Sequence, residues 1–134
     1  MLFDVDLITY RGLYKTIQTT KLNVLTNNGR RTVLSNHMPI ILPLELGVIE
    51  TSNDNGLSHF AVSEGMLYFE NNKGTIVCDL IEDIEDVDIA YYEKRLKDAK
   101  DSMSNPKSDL DYKKAKIKFA RATNVLKAAK KTNN

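Results

Sequence analysis

The run NKGTIVCDLIEDIEDVDIAYYEKRL, residues 72–96, changes its periodicity partway along, and that change decides the fold. Up to Leu80 it reads with period 2: Ile76, Cys78 and Leu80 fall on one side, as in a half-buried strand. From Asp88 the period lengthens. Ile89, Tyr92 and Leu96 recur at steps of three and four, the apolar stripe of an amphipathic helix. Between them, residues 79 to 88 carry six acids (Asp79, Glu82, Asp83, Glu85, Asp86 and Asp88) and no base. The run lacks the spacing and mid-loop glycine of an EF-hand. It reads as a solvated linker whose last aspartates cap the helix that follows.

Upstream, residues 1 to 86 read as β. Phe3, Val5 and Leu7 alternate with Asp4 and Asp6, and short runs follow at 13–19, 22–25, 32–34, 40–42, 47–51, 59–63, 66–70 and 75–80. Asn27-Asn28-Gly29, Asn53-Asp54-Asn55-Gly56, Glu64-Gly65 and Asn71-Asn72-Lys73-Gly74 are expected to supply the positive φ angles of tight hairpins. Many short antiparallel strands at close spacing predict a β-sandwich or barrel, and of the two the sandwich is expected.

Downstream, Ala99 and Met103 continue the first stripe, and Tyr112, Ala115, Phe119, Ala122, Leu126 and Ala129 form a second. The break between them, from Ser102 to Asp109, contains Pro106 and the N-cap candidates Ser108 and Asp109. An antiparallel two-helix hairpin is predicted, with helices at about 88–103 and 109–130. The expected domains are thus 1–86, a β-sandwich, and 87–134, the hairpin. Two narrow stripes bury too little to offset the ordering of that much chain. The hairpin is therefore expected to dock on the β-domain or on another chain, and to exchange between them.

Composition excludes several classes. Of 134 residues, 42% are hydrophobic and 28% charged, ordinary values for a folded soluble domain, and the net charge is only +1. That balance hides a basic second helix: residues 107 to 131 carry nine bases against two acids, a net +7. One cysteine cannot form an internal disulfide, which favours a reducing compartment. The N-terminus, with Asp4 and Asp6, is unlike a signal peptide. The longest apolar stretch, 38–49, is too short and too broken to span a bilayer.

Catalytic patterns are missing. His37 and His59 with Cys78 make no zinc spacing, and a lone His in a β-domain is more often structural than a ligand. No glycine-rich phosphate loop occurs. Lys113, Lys114, Lys116, Lys118 and Arg121 could meet an acidic protein surface, water or nucleic acid, in that order of fit. A free-standing basic nucleic-acid-binding domain is kept as the remote reading.

The order of the β motifs goes further. Thr9-Tyr10-Arg11-Gly12 sits after the first strand, and Gly29-Arg-Arg-Thr-Val33-Leu34-Ser-Asn-His37-Met-Pro39-Ile40 follows. Then come Leu46-Gly47-Val48, Phe60-Ala-Val62-Ser63-Glu-Gly65 and Asn72-Lys-Gly-Thr75-Ile76-Val77-Cys-Asp79. In this order, with a helical hairpin after them, these segments resemble the epsilon subunit of F-type ATP synthases (delta in mitochondria) along nearly the whole chain. The resemblance implies a non-catalytic rotor subunit of an F-type ATP synthase or ATPase, held at the cytoplasmic face of the membrane through its complex. Its sandwich would bind the gamma shaft and the c-ring, with Arg30, Arg31, His37 and Met38 at that interface.

The hairpin would fold on the sandwich or extend towards the alpha and beta subunits of the catalytic head. There Lys113, Lys114, Lys118 and Arg121 would hold back ATP hydrolysis. Some relatives bind ATP in the hairpin through an Ile/Leu-Asp-x-x-Arg-Ala motif and two arginines on the second helix. Here the motif is degenerate: Asp88 is kept, Tyr91 stands in place of its arginine, and of the later pair only Arg121 is present, Val125 standing for the other. ATP binding is expected to be weak or absent. Arg30 and Arg31 also stand where relatives often carry an acid and a leucine. A divergent F-type-like ATPase not coupled to a normal c-ring is the alternative.

Overall fold

The protein is described from a computed structural model covering residues 1 to 132. Residues 133 and 134 of the expected hairpin domain lie outside the described residues. In chain order the strands are β1 (Phe3–Thr9), β2 (Gly12–Thr19), β3 (Lys21–Thr26), β4 (Gly29–Leu34) and β5 (Ile40–Leu44). They continue with β6 (Gly47–Asn53), β7 (Gly56–Val62), β8 (Gly65–Glu70), β9 (Lys73–Cys78) and β10 (Ile81–Asp83). Two helices follow, α1 (Ile89–Ser104) and α2 (Asp109–Thr132). The chain divides into two compact units, Met1–Asp83 and the segment from Ile84 onward.

The first unit is a β-sandwich of two five-stranded sheets, in the orders β2-β1-β9-β8-β5 and β10-β7-β6-β3-β4. Every pairing is antiparallel except β1 with β9, which run parallel. Period-2 alternation turns Val5, Leu7, Leu22, Val24, Ile49, Phe60, Leu67, Phe69 and Ile76 inward, each almost fully buried. Phe3 meets Phe69 edge to face, with ring centroids 5.3 Å apart. Cys78 is buried among them as a small hydrophobe.

The acidic linker begins later than its charge suggests. Ile81 is 2% exposed and pairs with Val62, so Glu82 and Asp83 are strand residues of β10. Burial of one isoleucine outweighs the polarity of its neighbours. Asp83 is then tied to β2: its N–H donates to Tyr14 Oη at 3.0 Å, and Lys15 Nζ lies 3.3 Å from its carboxylate. Burial pushes the Tyr14 phenol above its ordinary range.

The turns also depart in part from expectation. Gly29, Gly56, Asn71 and Asn72 take positive φ as predicted, as does Gly12. Gly65 and Gly74 do not. They lie in strands, where a Cβ at Gly65 would strike the backbone of the neighbouring strand and one at Gly74 would sit tightly against Val5.

In the second unit Asp88 caps α1 by accepting the Tyr91 N–H at 3.1 Å, and Ser108 Oγ accepts the Asp111 N–H at 3.1 Å at the start of α2. Lys130 Nζ is 3.5 Å from Glu93 Oε1, so the end of α2 lies beside the start of α1: an antiparallel hairpin. Tyr92, Ala99, Ala115, Ala122, Leu126 and Ala129 of the two stripes are buried. Tyr112, at the far end of its stripe, is 40% exposed.

Candidate interaction surfaces

The most unusual surface is the outward face of the sheet β2-β1-β9-β8-β5. Pairing puts Pro43 opposite Met66, Met66 opposite Val77, Val77 opposite Ile8 and Ile8 opposite Leu13. One apolar row thus crosses all five strands. Leu13 is 62% exposed, Val77 41%, and in the adjoining row Ile41 is 60% and Tyr68 43%. Outward positions of an antiparallel sheet facing water are ordinarily polar. The adjoining row ends in polar groups: Asp6 accepts from Thr16 Oγ1 at 2.7 Å and pairs with Lys73 at 3.1 Å. Those two partners, the hydroxyl first, hold the Asp6 carboxyl below the usual range.

Sequence reading missed this row. Its signal was present as unbroken apolar runs, Leu7-Ile8, Ile40-Ile41-Leu42, Met66-Leu67-Tyr68-Phe69 and Ile76-Val77-Cys78. Such runs mark strands with apolar groups on both faces.

The four residues assigned to the sandwich interface are spread over an edge strand and a loop. Arg30 and Arg31 are neighbours on β4, the edge of its sheet, so their side chains leave on opposite sides. Arg30 Nη1 donates to Val48 O at 2.6 Å and to Asn23 Oδ1 at 3.2 Å. Arg31 pairs with Val24 and is exposed. His37 and Met38 lie in the loop from β4 to β5, which passes from one sheet to the other. The His37 ring sits edge-on to Phe69 at 6.1 Å, and its Nδ1 is 2.7 Å from Met38 O, which assigns the proton to that nitrogen. Met38 is 72% exposed.

On α2, Lys114, Lys118 and Arg121 follow one another at helical spacing along one flank, whereas Lys113 lies about 100° round from Lys114. The three lysines are exposed and Arg121 is half-buried. An open groove of roughly 400 Å³ beside the turn of the hairpin is lined by Arg95, Lys107, Lys114 and Lys118, with Asp98 and Asp111 among them. Asp88 spends a carboxylate oxygen on its cap. Tyr91, in the place of the motif arginine, stacks on Tyr92 at 5.0 Å and accepts from Arg95 at 3.1 Å. His59, the other histidine, pairs with Glu50 at 2.9 Å on the outward face of the second sheet. Among the described residues no group of three His, Cys, Asp or Glu is placed to hold a metal ion, and no helix is long and apolar enough to cross a membrane.

An apolar sheet face, an exposed edge loop and a basic helical hairpin are surfaces suited to contact with other proteins. Residues 2–84 match the family model of the ATP synthase delta/epsilon chain β-sandwich domain. The ATP synthase epsilon chain of Pediococcus pentosaceus is 30% identical, over 94% of this chain and 94% of that protein. That of Lactobacillus delbrueckii subsp. bulgaricus is 29% identical, over 93% and 90%. Among solved structures, a chain of the Euglena gracilis mitochondrial ATP synthase (OSCP/F1/c-ring) matches with TM-score 0.69 at 17% identity, over 99% of this chain and 82% of that one. A chain of the Tetrahymena thermophila mitochondrial ATP synthase central stalk and c-ring matches with TM-score 0.57 at 16% identity, over 94% and 95%. The chain belongs to the ATP synthase delta/epsilon chain family, and it is accordingly a non-catalytic, central-stalk subunit of the F-type enzyme.

Proposed function

We propose that this subunit docks on the gamma shaft through the outward face of β2-β1-β9-β8-β5 and meets the membrane ring at the β4 edge and the 35–38 loop. The apolar row from Pro43 to Leu13 carries this reading. Five strands of outward apolar side chains are favourable only when a partner removes them from water. In the cell that partner sits at the cytoplasmic face of the membrane, within the complex that also holds the alpha and beta subunits.

Ile41→Asp and Val77→Asp test it, because both side chains point away from the core. Each variant is expected to keep its melting temperature within a few degrees and to lose co-purification with gamma from its own cells. Normal co-purification of both would overturn the assignment of this face.

In this reading Lys113, Lys114 and Lys118, with Arg121 on the same helix, meet acidic segments of the beta subunits when the hairpin extends. A long-range attraction of this kind weakens with salt. A version ending at Asp86 should hydrolyse ATP faster in the purified complex, and Lys114→Gln with Lys118→Gln should reproduce part of that gain. Equal rates in all three would remove the braking role. ATP itself is expected to bind weakly or not at all, since Tyr91 replaces the motif arginine and Asp88 is engaged as a cap. A saturating millimolar titration would contradict that.

The orientation of Arg30 and Arg31 favours a second reading of the ring contact. One guanidinium is held within its own sheet and the other projects away, so a normal ring loop would have to offer acid on two sides. The alternative is an F-type-like ATPase not coupled to such a ring. Mass analysis of the native complex for a c subunit separates the two.

A further inference from the structure

The β8–β9 turn is a two-residue hairpin loop. Glu70 pairs with Lys73, leaving Asn71 at φ 52° and Asn72 at φ 59°. Glycine is the residue that best suits the second place of such a turn. Asn72 brings a carboxamide there instead, and that group is used. Its Oδ1 accepts the Asn36 N–H at 2.7 Å and lies 3.3 Å from Ser35 Oγ. Only the oxygen can accept a hydrogen bond from a backbone N–H, so the orientation of the carboxamide follows from its partner.

The segment it holds is the loop that leaves the edge of one sheet at Leu34 and enters the other at Ile40. Asn36 is itself at φ 65°, a conformation that a non-glycine residue keeps only when its surroundings hold it. His37 N–H closes the turn on Leu34 O at 3.1 Å, and the imidazole rests edge-on against Phe69. Ser35 and Asn36 thus share the Asn72 carboxamide oxygen, and His37 is held by Leu34 O and Phe69. Met38, the next residue in the loop, stands 72% exposed.

We infer that Asn72 is a positioning residue that pre-organises the 35–38 loop for docking, so that Met38 meets the partner as a fixed apolar anchor. The inference rests on reading that loop as part of the docking surface. Ordering the loop before encounter lowers the cost of association.

Two substitutions separate this role from simple support of the fold. Asn72→Gly suits the positive φ and removes the carboxamide. Asn72→Asp keeps an acceptor and tolerates the same backbone. The readouts are amide hydrogen exchange at Asn36 in the free full-length chain, its melting temperature, and its affinity for native complex stripped of this subunit. Asn72→Gly is expected to speed Asn36 exchange tenfold or more and to weaken assembly about tenfold, with the melting temperature little changed. Asn72→Asp should restore both. Met38→Ser should weaken assembly while leaving Asn36 exchange as it was. Unchanged exchange or unchanged affinity in Asn72→Gly would overturn the inference, as would an Asn72→Asp variant that assembles no better. If Met38→Ser assembles normally, the loop is not at the interface and the inference fails, while the apolar sheet face keeps its own test.

Discussion

Gly65 stands where a methyl group has no room. A Cβ built there would lie 2.1 Å from Val77 O and 2.6 Å from Cys78 Sγ, and the first of these is backbone that cannot swing aside. Gly65→Ala is therefore expected to cost about 3 kcal/mol in urea unfolding, the upper part of the range for overpacking a tight site. A loss below about 0.5 kcal/mol would show that the strands separate freely there. Sequence reading placed this glycine in a turn for its φ angle, because Glu64-Gly65 looks like turn punctuation. The atoms that exclude a side chain belong to β9, and no local pattern announces them. Asp6 carries a second prediction. Its carboxyl is held low by Thr16 and Lys73, so its contribution to stability is present above the ordinary aspartate pKa and is lost as pH falls through the depressed folded value. Thr16→Val removes the larger cause, and NMR titration should show the Asp6 pKa rising towards its ordinary value.

Among the elements, the helices were the easier to read. The steps of three and four survive into α1 and α2 because the two helices bury their stripes against each other. Asp88 shows the same directness: an aspartate before Ile89 is a cap by chemistry, and it accepts the Tyr91 N–H. Asp88→Ala should lower the stability of the helical unit by about 1 kcal/mol, visible as reduced helical ellipticity on mild heating. An unchanged profile would mean that another group takes over the cap. β10 was hidden, since two of its three residues are acids and only the pairing of Ile81 with Val62 makes it a strand. The outward apolar row was hidden for a related reason. Which face of a strand looks inward is a property of the sheet, and Ile8, Val77 and Met66 become neighbours only when β1, β8 and β9 pair.

For the whole molecule, the apolar core cluster of the β unit runs from Phe3 to Ile81. A chain ending at Asp86 is therefore expected to unfold in one cooperative transition in urea, with a midpoint close to that of the β unit in the full chain. A non-cooperative melt would mean that the helices complete the core. The family was legible because it rests on the order of turn and strand motifs, which sequence preserves. The 35–38 loop was legible only as residue names: that Asn72 reaches Asn36 depends on a contact between residues 36 apart in the chain.

The parallel pairing of β1 with β9 sets a timetable for synthesis. β1 and β2 are made first and can close their hairpin at once, but the other edge of β1 has no partner until β9 leaves the ribosome. At roughly 10 residues per second that wait is on the order of 7 s. An apolar strand edge open for so long would invite pairing with other nascent chains. Asp4 and Asp6 keep charge on β1 throughout the delay, as gatekeepers do. The arrival of β9 then brings Lys73 against Asp6, so the charge that guarded the unfinished sheet becomes an ion pair in the finished one.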